Sequence, residues 1–254
     1  MRIGIIGLSG RMGRLLAEEV PAAGAVLSGG TSRTGTPPSD CPILPDLASL
    51  AAVSDAVIDF THAHAVAGHA AVLASAGTAW ILGTSGLSAS DETAVAEAAR
   101  QVPVVYAPNF SPGAALLLDL ARRMAAALPG ELYDAEIVEM HHRQKVDAPS
   151  GTAMGLGLAV AAGRGVNLAE MTESGRHGHT GPRRPGAIGF ASLRGGQVVG
   201  EHTLLFAGAT EHVGLTHRVF DRRVFATGAV RAALWTKGRL PGLYGMDSVM
   251  GTTA

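Results

Sequence analysis

Residues 2–13 read Arg-Ile-Gly-Ile-Ile-Gly-Leu-Ser-Gly-Arg-Met-Gly, a short apolar run that breaks into glycines at 7, 10 and 13. Such a run is a buried strand entering a glycine turn, and Arg14–Val20 continues it as a helix. Glycines allow the tight turn and let the backbone approach a pyrophosphate, which rests on N–H groups at the helix start. The spacing is G-x-x-G-x-x-G, not the commoner G-x-G-x-x-G. A strand that feeds a helix returns parallel to itself. The opening therefore commits the chain to an α/β layer of dinucleotide-binding type.

The next strand, about Ala25–Gly30, ends where an Asp or Glu would hold the ribose hydroxyls of NAD. The chain reads Gly30-Thr31-Ser32-Arg33-Thr34 instead. A guanidinium with hydroxyls beside it suits the 2′-phosphate of NADP, so NADPH is the expected cofactor, with NADH as the alternative. Residues 35–50, with Pro37, Pro38, Pro42 and Pro45, read as a loop. Ala56–Phe60, Trp80–Gly83 and Val102–Tyr106 read as further strands, separated by helices over 64–76 and Asp91–Arg100, the second capped by Ser90. The expected fold is a Rossmann-type, doubly wound parallel sheet. Its strands deliver Thr61, Thr84-Ser85-Gly86 and Ala107-Pro108-Asn109-Phe110 to one rim.

Residues 135–153, Ala-Glu-Ile-Val-Glu-Met-His-His-Arg-Gln-Lys-Val-Asp-Ala-Pro-Ser-Gly-Thr-Ala, carry the chemistry. Ala135–His142 reads as a strand, which turns His141 and His142 to opposite faces. Pro149-Ser150-Gly151 is a helix entrance, and Ala153–Ala162 is apolar enough to be the helix. N–H groups at that helix start, beside Lys145 and the Thr152 hydroxyl, make a receptor for a carboxylate. Singly, a histidine pair on a strand is structural, a lysine a solvated charge, and Ser-Gly-Thr a cap. Together they point to catalysis on a small acid.

Ser111-Pro112 starts a helix to about Leu128, and Arg176–Arg183 is a long loop. Ala187–Leu193, Val198–Phe206 and His212–Val219 read as strands on short turns, with Gly195-Gly196 marking a first hairpin. These imply a smaller α+β domain with a mostly antiparallel or mixed sheet. Val224–Lys237 is a helix that returns to the first domain. Residues 1–111 with 222–254 are the expected dinucleotide-binding domain, and 112–221 the substrate-binding and oligomerisation domain. At 254 residues, 47% hydrophobic and 16% charged, the chain has ample apolar content for such cores. A net charge of −1 without basic runs gives no reason to expect nucleic acid or an anionic membrane. The single Cys41 forms no internal disulfide and no metal cluster is expected. No signal-like or membrane-length apolar stretch occurs, and a cytoplasmic protein is expected.

His141–Ala153, preceded by Glu-Ile-Val-Glu-Met, resembles the signature of the 4-hydroxy-tetrahydrodipicolinate reductases, also called dihydrodipicolinate reductases. The likeness extends through Gly7–Gly13, Asp59-Phe60-Thr61, Gly83–Gly86, Ala107–Ser111, Gly178–Gly181, Gly200-Glu201-His202 and Gly228–Trp235. It implies His141 and Lys145 as catalytic residues and His142, Gly151 and Thr152 as holders of substrate. It also implies Gly7, Leu8, Ser9, Gly10, Arg11, Met12, Ser32, Arg33, Gly83, Thr84, Ser85, Ala107, Pro108, Asn109 and Phe110 as cofactor contacts. Ser32 stands where many members carry an acid, and His62-Ala63-His64 replaces their more usual proline-containing run.

The implied reaction belongs to diaminopimelate and lysine biosynthesis. A cyclic imine dicarboxylate loses water and takes hydride on a conjugated ring carbon, and a proton is supplied by His141 or Lys145. The implied assembly is a homotetramer. Two other readings stand beside it: a related NADP-dependent reductase of another small acid, and a non-catalytic NADPH-sensing module.

Overall fold

The computed structural model describes residues 1–252 except 34, 37 and 39, so Thr34 and Pro37 lie outside the described residues. The chain divides into two compact units: Met1–Pro112 with Arg223–Ala254, and Gly113–Arg222.

In the first unit six parallel strands, β1 (Arg2–Ile6), β2 (Val26–Thr31), β3 (Ala56–Asp59), β4 (Ala79–Leu82), β5 (Pro103–Tyr106) and β11 (Gly242–Tyr244), lie in the order β11-β5-β4-β3-β1-β2. Helices cover both faces of such a sheet, which is why β3 and β4 are buried along their whole length and apolar except for Asp59 at the end of β3. From β1 the chain steps outward to β2 and then back past β1 to β3. The carboxyl ends of β1 and β3 are therefore the switch point at which open α/β sheets take ligands. The helices are α1 (Arg11–Ala22), α2 (Leu47–Ala52), α3 (Val66–Ala76), α4 (Ala89–Ala99), α8 (Arg223–Trp235) and α9 (Met246–Met250). Leu50, Leu73, Trp80, Leu82 and Val95 form the core between sheet, α2, α3 and α4.

Two local details differ from the sequence reading. Residues 35–50 are not all loop: α2 begins at Leu47, because Asp46 accepts a hydrogen bond from the Ser49 N–H at 2.7 Å and caps it. The cap of α4 is Ser88, not Ser90. Ser88 and Asp91 bond each other's backbone N–H in a capping box, an arrangement Ser90 is placed too late to make. Helix α8 joins the first unit through Arg223, which reaches Glu19 and Glu18 at 2.7 Å each, and through Gly228, packed on the Phe110 carbonyl.

The second unit holds β6 (Asp134–His141), β7 (Thr172–Ser174), β8 (Ile188–Arg194), β9 (Gly200–Ala207) and β10 (His212–Val219), in the order β10-β9-β6-β8-β7. Helices α5 (Pro112–Ala127), α6 (Gly151–Arg164) and α7 (Leu168–Met171) cover one face. Leu117, Ile137, Leu156, Phe190 and Phe206 fill the space between. The sheet is mixed: β6 pairs antiparallel with β9 and parallel with β8. The hairpin expected at Gly195-Gly196 is not formed, since β6 lies between β8 and β9. The glycine turn instead crosses the end of β6: Gly195 N–H bonds the His141 carbonyl at 2.9 Å, and Arg143 N–H bonds that of Gly196 at 3.4 Å. Glycines there signalled a tight turn correctly. The partner of the turn was a third strand, which local sequence does not encode.

Strand β6 buries Ala135, Ile137, Glu139 and His141 on the helix-covered face. Val138, from the alternate set, is exposed on the other.

The glycine turn after β1 supplies a stability prediction. Gly7 has φ +77°, and a Cβ on Gly13 would meet the Gly7 carbonyl oxygen at 2.3 Å and the Leu8 Cα at 2.7 Å, both backbone atoms. Gly13→Ala is expected to destabilise by about 1–3 kcal/mol. Gly68→Ala, in α3 with nothing within 4 Å of the added atom, is expected to be neutral or stabilising by up to about 1 kcal/mol. Denaturant midpoints of the two variants check both signs.

Candidate active site

The first unit carries a cavity of about 590 Å³ at the switch point. Gly7, Ser9 and Gly10 from the turn after β1 line it, with Ser32 and Arg33 after β2, and Phe60 and Thr61 after β3. Helix α1 starts here, and its N-cap Gly10 offers no side chain to the first-turn N–H groups. A bound phosphate would take the place of a capping oxygen. Ser32 Oγ lies 2.7 Å from Ser9 Oγ, tying the end of β2 to the glycine turn. Asp46 is the one carboxylate lining the cavity among the described residues, and it already caps α2. Arg33 is exposed on the cavity wall, where it can meet a phosphate.

Not every sequence-predicted contact gathers there. Leu8 is fully buried beneath the turn, while Arg11 and Met12 begin α1 and do not line the cavity. Gly83, Thr84 and Ser85 follow β4, and Ala107, Pro108, Asn109 and Phe110 follow β5, further along the same rim. Phe110 packs edge-on against Phe60 at 5.5 Å. Thr84 Oγ1 is buried without a hydrogen-bond partner. His62, His64 and His69 also line the cavity, and none of them was singled out from sequence as a contact. His69 Nδ1 sits 2.7 Å from the fully buried Asp59, which also accepts from the Thr61 N–H and hydroxyl. The signal was present as a polar group at the end of an apolar strand.

His141 and Lys145 lie in the second unit. His141 ends β6, and its Nδ1 lies 2.6 Å from Glu139 Oε2, two residues back on the same face. Glu139 is 1% exposed. Arg194, opposite His141 in the β8 register, donates to both its oxygens at 2.9 and 2.8 Å. Ser150 N–H adds a contact at 3.3 Å. Burial alone would raise the Glu139 pKa, but hydrogen bonds from Arg194, Ser192 and His141 outweigh it and hold the carboxyl at about 2. Removing one partner of a buried pair of this kind costs about 3–5 kcal/mol, because the other charge is left alone.

Arg194 also donates to the Asp147 carbonyl at 2.6 Å, and Asp147 holds Lys145 Nζ at 2.8 Å. One guanidinium thus couples the strand end that bears His141 to the loop that bears Lys145. Ser150 caps α6 through the Ala153 N–H, placing Gly151 and Thr152 in its first turn. The Ser150 hydroxyl lies 3.0 Å from His202 Nε2 on β9. His142 turns away from this group, with Nε2 3.5 Å from Arg222 Nη2 and Nδ1 buried without a partner. The structure therefore assembles His141, Lys145, Gly151 and Thr152 around Glu139, Arg194, Ser150 and His202, and sets His142 apart from His141. Of that second group, sequence reading took Ser150 as the helix entrance and His202 only as part of the family likeness, and gave Glu139 and Arg194 no part. Glu139 was findable, being two residues from His141 in a strand. Arg194 and His202 become neighbours only through the register of β8 and β9.

Burial pushes His141 below its ordinary pKa, against the pull of Glu139, with Lys145 and Arg194 adding to the downward push. Burial, then His141, drives His202 down to about 4, and burial lowers His217. A folded pKa below the unfolded value near 6.5 means that the unfolded chain binds more protons in between. Stability from these rings is therefore complete above about pH 6.5 and lost as pH falls toward 4, by on the order of 3 kcal/mol for His202. Thermal unfolding between pH 7 and 5 should show the decline, and His202→Gln should flatten it.

Comparison with known proteins identifies the relatives. The family models described as dihydrodipicolinate reductase, N-terminus, and dihydrodipicolinate reductase, C-terminus, match residues 1–110 and 113–250. A 4-hydroxy-tetrahydrodipicolinate reductase of Granulibacter bethesdensis is 67% identical over 99% of this chain and 97% of its own length. The protein of that name from Gluconacetobacter diazotrophicus is 62% identical, with the same two coverages. Among solved structures, dipicolinate-bound dihydrodipicolinate reductase from Paenisporosarcina sp. TG-14 superposes with a TM-score of 0.79 at 25% identity, covering 98% of each chain. A probable dehydrogenase from Thermotoga maritima, at 12% identity and a TM-score of 0.61 over 99% of this chain and 93% of its own, shares the fold. Matching family models over both halves and close relatives over nearly its full length make this chain a member of the dihydrodipicolinate reductase family.

Proposed function

We propose that the protein reduces 4-hydroxy-tetrahydrodipicolinate to tetrahydrodipicolinate, with loss of water, at the expense of NAD(P)H, in diaminopimelate and lysine biosynthesis. The observation that carries the reading is His141, anchored through Nδ1 on a buried carboxylate and coupled through Arg194 and Asp147 to Lys145 in the loop that leads to α6. That set combines a proton donor, a cation and a carboxylate receptor, which a small cyclic dicarboxylate requires.

The nicotinamide dinucleotide, when bound, supplies the hydride. The turn at Gly7–Gly10 and the start of α1 would hold its pyrophosphate, and Ser32 with Arg33 would take the 2′-phosphate, which would favour NADPH over NADH. In the second unit Gly151 and Thr152 grip one substrate carboxylate at the helix start. As hydride reaches the conjugated ring carbon, charge moves toward the ring nitrogen. His141 supplies the proton from Nε2 and Lys145 stabilises the charge. The lowered pKa of His141 makes its protonated form a stronger acid. A dianionic substrate favours that form as it binds. Lys145 leaves Asp147 to meet the substrate, exchanging one carboxylate for another.

The same reading extends to a cytoplasmic homotetramer. The sheet face opposite α5 and α6 exposes Val138 and Leu193, apolar side chains of the kind that partner subunits cover. Among the described residues no helix is long and apolar enough to cross a membrane.

The test is substrate-dependent oxidation of NADPH, with substrate generated in situ from pyruvate and aspartate semialdehyde by the preceding synthase. His141→Gln and Lys145→Ala should each lower kcat by about 10²–10⁴-fold; near-normal turnover in both would remove the assignment. Arg33→Ala should raise the KM for NADPH by about tenfold, the scale of one lost charge-assisted contact, and leave that for NADH nearly unchanged.

A further inference from the structure

The imidazole of His141 is gripped from one side. Its Nδ1 lies 2.6 Å from Glu139 Oε2. An ionised carboxylate only accepts, so Nδ1 carries the proton and Nε2 is the nitrogen left for a ligand. A Cβ on Gly200 would stand 3.0 Å from Nε2, so the glycine keeps that side of the ring clear. Glu139 cannot swing away, because Arg194 occupies both its oxygens and the Ser150 N–H closes the site. The charged and titratable groups facing the ring are Glu139 on β6, Lys145 in the following loop, Arg194 on β8 and His202 on β9. Glu139 is the anion of that set. The other three are cationic or can become so.

We infer that Glu139 is the positioning residue for His141: locked by Arg194, its carboxylate holds the ring as the Nδ1–H tautomer with Nε2 presented to substrate, and supplies the negative charge that lets the ring take up a proton there. The inference deepens the proposed reduction and rests on that reading of His141. The tautomer itself can be observed without turnover.

A purely structural role for Glu139 would be to neutralise Arg194, and the test separates the two. In the protein labelled with ¹⁵N-histidine, the His141 resonances are identified by their absence in His141→Gln. Above the titration of the ring they should report Nδ1–H with a bare Nε2. The variants for kinetics are Arg194→Gln and the double variant Glu139→Gln with Arg194→Gln, which leaves no buried charge unpaired. In the double variant kcat should fall by about 10²-fold with KM changed less than about threefold. The limb of the kcat/KM profile that reports His141 should move about one pH unit to lower pH. Arg194→Gln alone, which keeps the anion, should move that limb the other way. Wild-type His141 in the Nε2–H form would overturn the proposal, as would a double variant with restored kcat and an unmoved limb. If the wild-type protein does not turn over the substrate, the proposed reduction falls, and the tautomer measurement still decides the role of Glu139.

Discussion

The second unit depends on a carboxylate almost wholly withdrawn from solvent. Glu139 lies in the middle of the mixed sheet, and desolvating an ion there would cost several kcal/mol if it were left alone. It is not alone: Arg194, His141 and Ser150 converge on it from β8, from its own strand and from the entrance of α6. Each of those groups also has a task elsewhere. Arg194 fastens the Asp147 carbonyl, and Ser150 caps α6 while meeting His202. Satisfying one buried charge thereby fixes a strand end, a loop and a helix start in one arrangement. Groups tied to one another in this way hold each other still, and the His141 ring is held in one orientation with them.

The first unit is built differently around its cavity, with backbone packed closely against backbone. Its cavity wall has one buried carboxylate behind it, Asp59, met by His69 and Thr61, but no cation like Arg194 clamps that group among the described residues. Small residues do the work: Gly13 lies against the turn it follows, and Gly10 leaves the start of α1 uncapped by any side chain. Where the ribose end of a dinucleotide would lie, the wall presents Ser32 and Arg33. The nearby carboxylate of Asp46 is turned to its own helix. The two units thus differ in construction, one cavity being walled largely by backbone and small residues, the other group centred on a buried carboxylate and a helix entrance.

Much of this was legible in the sequence, and the parts that were not share a cause. The strand, glycine turn and helix at the start were readable because all their determinants lie within twenty residues. The same holds for the run from His141 to Thr152. What local pattern could not give was register. Gly195-Gly196 looked like a hairpin because two strands follow one another there, yet β6 intervenes and the turn bonds to its end. Arg194 and His202 face Glu139 for the same reason: they become its neighbours only through pairing across the sheet. Ser88 displaced Ser90 as a cap because the reciprocal bond from Asp91 favours the earlier residue. Patterns of spacing revealed which residues are chemical; pairing decided which of them meet.

The first unit is also discontinuous. Helix α8, clasped to α1 by Arg223, and β11, the strand beyond β5, both come after the whole of the second unit in the chain. During synthesis from the N-terminus, β1 to β5 emerge early with one sheet edge and one helical face uncovered. The sequence from Gly113 to Arg222 emerges complete, with its own core, before those surfaces can be closed. The first unit starts first and finishes last, so its final segment acts as a fastener, and the second unit has the opportunity to fold while it waits.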